Sequence, residues 1–386
     1  MKRKVCVVVT ARSSYPRVKS IMTAIKNHKN LDLQVVTTCS ANYDEFGHVA
    51  KVMEEDGFKI DEKVYSYLGS HSLTSSSQTT GLTLIELSSV FERLKPDIVI
   101  TNGDRYETMA TAVCASYMNI PLVHMQGGDV TGNIDDKVRH AITKLADIHF
   151  ATSEKSYQRL LLLGENPDKV FMFGCPAIDL VRDIYKMKKL DFNPFQKYKN
   201  FGNLKGMPDK YYVVMQHPTT TDIKHARQNY EQTLTAVKKL HAPTFIFFPN
   251  ADVSAQELKS AIEDFYHSHP DLPIHFFENM KPEDFIKFIY QAQCLIGNSS
   301  VGIRECSYLG IPVVNVGDRQ RNRERGQNVI DVDYDANAIY DAVKTWELRG
   351  RPEQSFIYGD GTAGRKIADT LASIDLSIHK KLTYQI

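Results

Sequence analysis

Six polar clusters each stand at the end of a short apolar run, and their residue types suit the handling of anions and protons. Thr10-Ala11-Arg12-Ser13 follows the run 5–9, Asn102-Gly103-Asp104-Arg105 follows 98–101, and His124-Met125-Gln126-Gly127-Gly128-Asp129 closes 122–125. Further on, Gln216-His217-Pro218 follows 211–215, Phe248-Pro249-Asn250 closes 244–248, and Gly297-Asn298-Ser299-Ser300 follows 294–296. Ser299 and Ser300 open a helical stretch, so their hydroxyls and the unbonded N–H groups of its first turn would hold a phosphate or diphosphate. The same residues would also serve as an ordinary N-cap. Glu305, roughly one turn further along, either accepts hydrogen bonds from a ribose diol or completes an acidic helix start. Asp104 reads as a general base or as the cap of the helix that follows it. Asp135 and Asp136 open a helix carrying Arg139, His140 and Lys144, where acidic side chains are favourable without any chemistry. His217 precedes Pro218, which keeps it extended at a strand end, a place suited to an acid or a cation.

These clusters need a scaffold that brings strand ends together. Apolar runs at 5–9, 33–37, 98–101, 122–125, 148–151 and 170–173 alternate with helical patterns at 18–28, 43–56, 82–94, 107–118, 136–146 and 155–163. Strands apolar along their whole length are buried on both faces, which means a parallel sheet between helices. A polar, turn-rich stretch then interrupts the pattern. A second series follows, with strands at 211–215, 244–248, 274–277, 294–296, 312–316 and 329–332 and helices at 222–240, 254–267, 282–291, 301–309 and 336–346. We therefore expect two Rossmann-like, doubly wound α/β domains with parallel sheets facing a cleft. Residues 1–187 form the first and 188–209 a linker. Residues 210–364 form the second, and 365–386 a helix that packs back on the first.

Composition excludes several function classes. With 42% hydrophobic and 24% charged residues the chain is neither disordered nor fibrous. Forty-seven basic against 46 acidic residues give a net charge of +1, which leaves no footprint for nucleic acid. Six scattered cysteines suit buried thiols in a reducing cytoplasm, and no apolar run is long enough for a membrane helix. Gly359-Asp360-Gly361-Thr362-Ala363-Gly364 matches a dinucleotide fingerprint, but no buried strand precedes it and too little chain follows, so it reads as a turn before a helix. Without a Walker sequence or a Cys/His cluster at zinc spacing, no cofactor and no metal are expected.

In their order, these motifs resemble the hydrolysing UDP-N-acetylglucosamine 2-epimerases of sialic and related nonulosonic acid synthesis. The resemblance rests on Asn102-Gly103-Asp104-Arg105, the stretch 127–145, Gln216-His217-Pro218 and Phe248-Pro249-Asn250. Gly297-Asn298-Ser299-Ser300 with Arg304-Glu305, and Tyr358-Gly359-Asp360-Gly361, complete it. It implies the glycosyltransferase-B arrangement, with diphosphate on Ser299, Ser300, His217 and Arg12. Glu305 and Asn250 would contact ribose or uridine, and Arg105 and Arg319 the nucleotide sugar. Asp104 and Asp135 would act on the sugar ring as base and acid. Many family members carry a carboxylate where this chain has Gln126, and an amide orients substrate but trades no proton. The implied reaction converts UDP-N-acetylglucosamine to N-acetylmannosamine and UDP. The alternatives are a UDP-2,4-diacetamido-trideoxyhexose substrate, a non-hydrolysing epimerase, or a glycosyltransferase of the same fold. Partners would be the nucleotide sugar and further copies in a homodimer or homotetramer, with neither nucleic acid nor membrane.

Overall fold

The computed structural model describes residues 2–69, 72–131, 134–187, 189–219, 222–249, 255–381 and 383. The chain divides into two compact units. The first comprises Met1–Val130, Ile134–Leu180 and Ile357–Ile386, and the second Thr131–Asn133 and Val181–Phe356.

In the first unit the β-branched runs form strands β1 (Arg3–Val9), β2 (Leu31–Thr38), β3 (Glu62–Val64), β4 (Ile98–Asn102), β5 (Leu122–Met125), β6 (Ile148–Ala151) and β7 (Val170–Met172). They make one parallel sheet in the order β3-β2-β1-β4-β5-β6-β7. Val5, Cys6, Val7 and Val9 are fully buried, as a strand covered by helices on both faces requires. Strand order reverses between β1 and β4, so the loops after these strands diverge and leave room for a ligand at their carboxyl ends.

The second unit contains β8 (Asn200–Gly202), β9 (Tyr212–Met215), β10 (Thr244–Phe247), β11 (Ile274–Phe277), β12 (Cys294–Gly297), β13 (Val313–Val316) and β14 (Val329–Val332). Their order is β14-β13-β12-β9-β10-β11-β8, with the reversal between β9 and β12. All pairings are parallel except that of β8 with β11, so this sheet is not wholly parallel as expected. Strand β8 lies within 188–209, where only a linker was expected, because three residues of Asn-Phe-Gly give almost no apolar signal. At the reversal, Gly297 has φ +131°, and a Cβ there would stand 2.3 Å from the carbonyl oxygen of Met215. Only glycine lets β12 end so close to β9.

Other differences have local causes. The helix expected at 82–94 begins at Leu73, because Ser72 and Ser75 cap it reciprocally and packing outweighs a Ser/Thr-rich start. The expected 43–56 helix is confined to Val49–Glu55, since Gly47 at φ 100° and His48 at φ 54° are left-handed. The 301–309 helix is two pieces, Ser300–Ile303 and Glu305–Leu309, broken at Arg304, whose carbonyl accepts from the Ser307 hydroxyl at 2.8 Å. A helix at Ala177–Met187 was not anticipated.

The final helix spans Ala363–Ser373, and 374–381 is irregular rather than a continuation of it. The Asp179 carboxylate accepts from the N–H groups of Ala363 and Gly364 at 3.0 and 2.7 Å, so the helix start is satisfied by a side chain from elsewhere. Ile367, Ala368 and Leu371 share a core with Val5, Val7 and Val9. All six cysteines are buried and free.

Candidate active site

In the first unit, loop 103–105 is held by two neighbours. Gly103 N donates to Met125 O at 3.1 Å, and His124 Nε2 lies 3.0 Å from Gly103 O. Burial pushes the His124 imidazole down to about 3, so the ring is neutral at ordinary pH. A carbonyl only accepts, so Nε2 carries the proton, and Nδ1 accepts from the Thr143 hydroxyl at 3.1 Å. Asp104 does not cap the next helix. Arg105 occupies that position, and the Asp104 carboxylate pairs with Arg139. Arg139, fully buried, also pairs with Asp136 and donates to Asp129 O at 2.9 Å. A buried guanidinium thus gathers carboxylates from two segments, an arrangement that fixes their direction.

Asp135 is half-buried in the first turn of the helix Ile134–Leu145. Arg105 Nε donates to Glu107 Oε1 at 2.6 Å, which commits part of its guanidinium to a carboxylate only 1% exposed. Arg12 opens the 3₁₀ turn Arg12–Arg17 and is half-buried. From that turn Arg17 reaches Gln126, its Nη1 donating to Oε1 at 3.3 Å. Gln126 is 2% exposed and left-handed at φ 67°, a conformation costing a non-glycine residue roughly 1 kcal/mol. Its N–H donates to Phe150 O at 3.2 Å, which helps hold it there. The first unit therefore joins Asp104 and Asp136 through Arg139, and Gln126 to Arg17, among the loops that follow its strands.

In the second unit the reversal is bridged by an amide. Asn298 Oδ1 accepts from His217 N at 2.7 Å, and its Nδ2 donates to His217 O at 2.9 Å, so the loops after β9 and β12 are held in register. Arg319 and the Gln320 amide both donate to Asn298 O, at 3.2 and 3.1 Å. Arg319 thus has a structural contact. Ser299 caps the short helix Ser300–Ile303, accepting from Val301 N at 3.4 Å, and Ser300 accepts from the fully buried Arg304 at 2.9 Å. Glu305 is 7% exposed, and its Oε2 has no hydrogen-bond partner among the described residues. A desolvated acceptor left in this state suits a hydroxyl-bearing ligand. Asn250 lies outside the described residues. No group of three or more His, Cys, Asp or Glu side chains suited to a metal ion occurs among the described residues.

From the sequence, no role was assigned to Arg139, Arg17, His124, Asn298 or Arg304, although His124 and Asn298 stood in its polar clusters. Arg139 had a usable signal, since Asp136 three residues earlier shares its helix face. Asn298 stood in a polar cluster but its bridging role was hidden, and Arg17 had no signal, because their contacts cross between separate loops.

The sequence profile of the UDP-N-acetylglucosamine 2-epimerase family matches residues 23–372. The UDP-N,N'-diacetylbacillosamine 2-epimerase (hydrolyzing) of Legionella pneumophila is 30% identical over 377 residues, 97% of each chain. The GDP/UDP-N,N'-diacetylbacillosamine 2-epimerase (hydrolyzing) of Campylobacter jejuni is 31% identical, covering 90% of this chain and 89% of its own. The UDP-GlcNAc 2-epimerase of Neisseria meningitidis, solved bound to UDP-GlcNAc, shares the fold with a TM-score of 0.77 at 20% identity, over 95% of this chain and 99% of that one. With the profile spanning most of its length, this chain belongs to the UDP-N-acetylglucosamine 2-epimerase family.

Proposed function

We propose that the protein is a hydrolysing 2-epimerase whose substrate is a UDP-2,4-diacetamido-trideoxyhexose of the N,N'-diacetylbacillosamine type. The observation that carries this reading is its likeness, at 30 and 31% identity over nearly whole chains, to two enzymes named for hydrolysing that sugar nucleotide. A neutral Gln126 on Arg17, in place of a carboxylate, agrees with a substrate that differs from UDP-N-acetylglucosamine. The second reading is UDP-N-acetylglucosamine itself. It is favoured by a Neisseria meningitidis relative of that name, 28% identical over 94% of this chain and 92% of its own.

Either substrate undergoes the same chemistry. The C2–H is a weak acid, so its removal is coupled to loss of UDP from C1. Asp104 or Asp135 takes the C2 proton, the C1–O bond breaks with its electrons on the diphosphate, and a C1=C2 double bond forms. His217, Ser299, Ser300 and Arg12 stabilise the departing diphosphate, and Glu305 and Asn250 hold the ribose or uridine. Arg105 and Arg319 contact the nucleotide sugar, while Gln126 orients the ring. Water then adds, hydroxyl to C1 and a proton to C2 from the opposite face, which frees the 2-epimeric sugar. Six buried free thiols support a cytoplasmic setting.

The test is incubation with each nucleotide sugar alone. Free UDP plus a free 2-epimeric sugar is the expected result, with kcat/KM at least about tenfold higher for the diacetamido sugar. A sugar that stays on UDP would mean a non-hydrolysing epimerase, and dependence on an acceptor would mean a glycosyltransferase.

A further inference from the structure

The segment after the last helix sends one side chain inward. Lys380 Nζ donates to Glu165 Oε2 at 2.5 Å, to Thr143 O at 2.9 Å and to the carbonyl of Ala146. Glu165, 2% exposed, also accepts from His149 Nε2 and from Lys144 Nζ, each at 2.9 Å. Burial pushes its carboxyl up, but the hydrogen bonds from His149, Lys380 and Lys144 prevail and hold it down to about 2. The same segment is pinned beyond Lys380, where the Thr383 hydroxyl donates to Glu165 O at 3.0 Å.

Thr143 and Ala146 lie at the carboxyl end of the helix Ile134–Leu145. The last carbonyls of a helix have no partner within it, and an ammonium group there meets both their lone pairs and the negative end of the helix dipole. Two routes lead from this anchored end to Asp104. Along the helix, Arg139 pairs with the Asp104 carboxylate. Across the helix, the Thr143 hydroxyl bonds His124 Nδ1 at 3.1 Å, and His124 Nε2 bonds the Gly103 carbonyl at 3.0 Å, one residue before Asp104. A small slide of the helix would therefore move both the partner of Asp104 and the loop that carries it.

We propose that Lys380 is a positioning residue for Asp104, fixing it through the helix Ile134–Leu145 and through the Thr143–His124–Gly103 chain. The proposal rests on the assignment of Asp104 to proton transfer at the sugar.

The experiment uses the full chain with Lys380→Ala, Lys380→Arg and Lys169→Ala. Lys169 bonds Asp375 in the same segment without touching the Glu165 cluster, so its variant controls for loosening of the segment. Lys380→Ala is expected to lower kcat for UDP release by about tenfold or more, as a displaced catalytic group does, with KM within about twofold. Amide hydrogen exchange at 102–105 is expected to accelerate, Lys380→Arg to recover most of both losses, and Lys169→Ala to change neither. Unchanged kcat in Lys380→Ala, or unchanged exchange at 102–105, would overturn the proposal. Should that variant fail to fold, Thr143→Val breaks the link to His124 and leaves the Lys380–Glu165 pair in place. It is expected to show the same two effects, and normal values would overturn the proposal equally. A wild-type chain that releases no UDP would refute the assigned reaction alone, because hydrogen exchange reads the loop without substrate.

Discussion

The two sheet reversals are closed by different contacts. Beside β1 and β4 the first unit gathers charge, with Asp104 and Asp136 on the buried Arg139 and Arg105 on Glu107. Beside β9 and β12 the second unit uses a neutral amide, Asn298, bonded twice to the His217 backbone, with the serine hydroxyls next to it. Fixed ion pairs hold titratable groups in one direction, which proton transfer needs. Neutral donors on a stiff turn accept an anion with little reorganisation. Under the proposed reaction, the reversal in the first unit would serve chiefly proton transfer and that in the second chiefly anion binding.

Asp104→Asn is the sharpest way to break this division. We expect UDP release to fall by about a thousandfold while UDP affinity, read by calorimetry, stays within about twofold. An equal loss of affinity would erase the contrast. Arg139→Met strips the shared cation from Asp104 and Asp136, and should lower unfolding free energy by about 3–5 kcal/mol in denaturant titration. An unchanged midpoint would mean that those carboxylates are solvated. Asn298→Ala is the mirror test. Losing two buried hydrogen bonds should cost about 1–3 kcal/mol of UDP binding, while turnover at saturating substrate is largely kept.

The fold was more legible than the site. Runs such as 122–125 and 274–277 announced themselves, because a parallel strand buried on both faces must be apolar throughout. Strand β8 and the start of the helix at Leu73 did not, since their stability comes from pairing and packing rather than from their own composition. In the site, Asp104 was visible as a polar residue after a strand. Whether it capped a helix or met a cation depended on Arg139, which a different helix supplies. Gln126 stood out through the family resemblance, where a carboxylate is usual, while its partner Arg17 was hidden in an irregular turn.

Acid tests the first unit's stability. Unfolded His124 takes up a proton near the ordinary 6.5, whereas the folded ring does so only at about 3, so the unfolded chain binds more protons throughout this interval. Stability present above pH 6.5 should therefore fall as pH drops toward 3, and a flat profile of denaturation midpoints would contradict the neutral, loop-holding imidazole. Gln126→Glu should have the smallest effect. With Arg17 as its partner a carboxylate fits without unfolding, and we expect the kcat/KM ratio between the two nucleotide sugars to shift toward UDP-N-acetylglucosamine by about tenfold. A constant ratio would assign Gln126 to support of the loop alone.

Turnover of the UDP-linked diacetamido sugar in deuterium oxide, followed by mass spectrometry and proton NMR of the products, tests the central claim most directly. The expected result is free UDP and a free 2-epimeric sugar carrying one non-exchangeable deuterium at C2. A free sugar with protium at C2, or a sugar still joined to UDP, would contradict elimination followed by hydration.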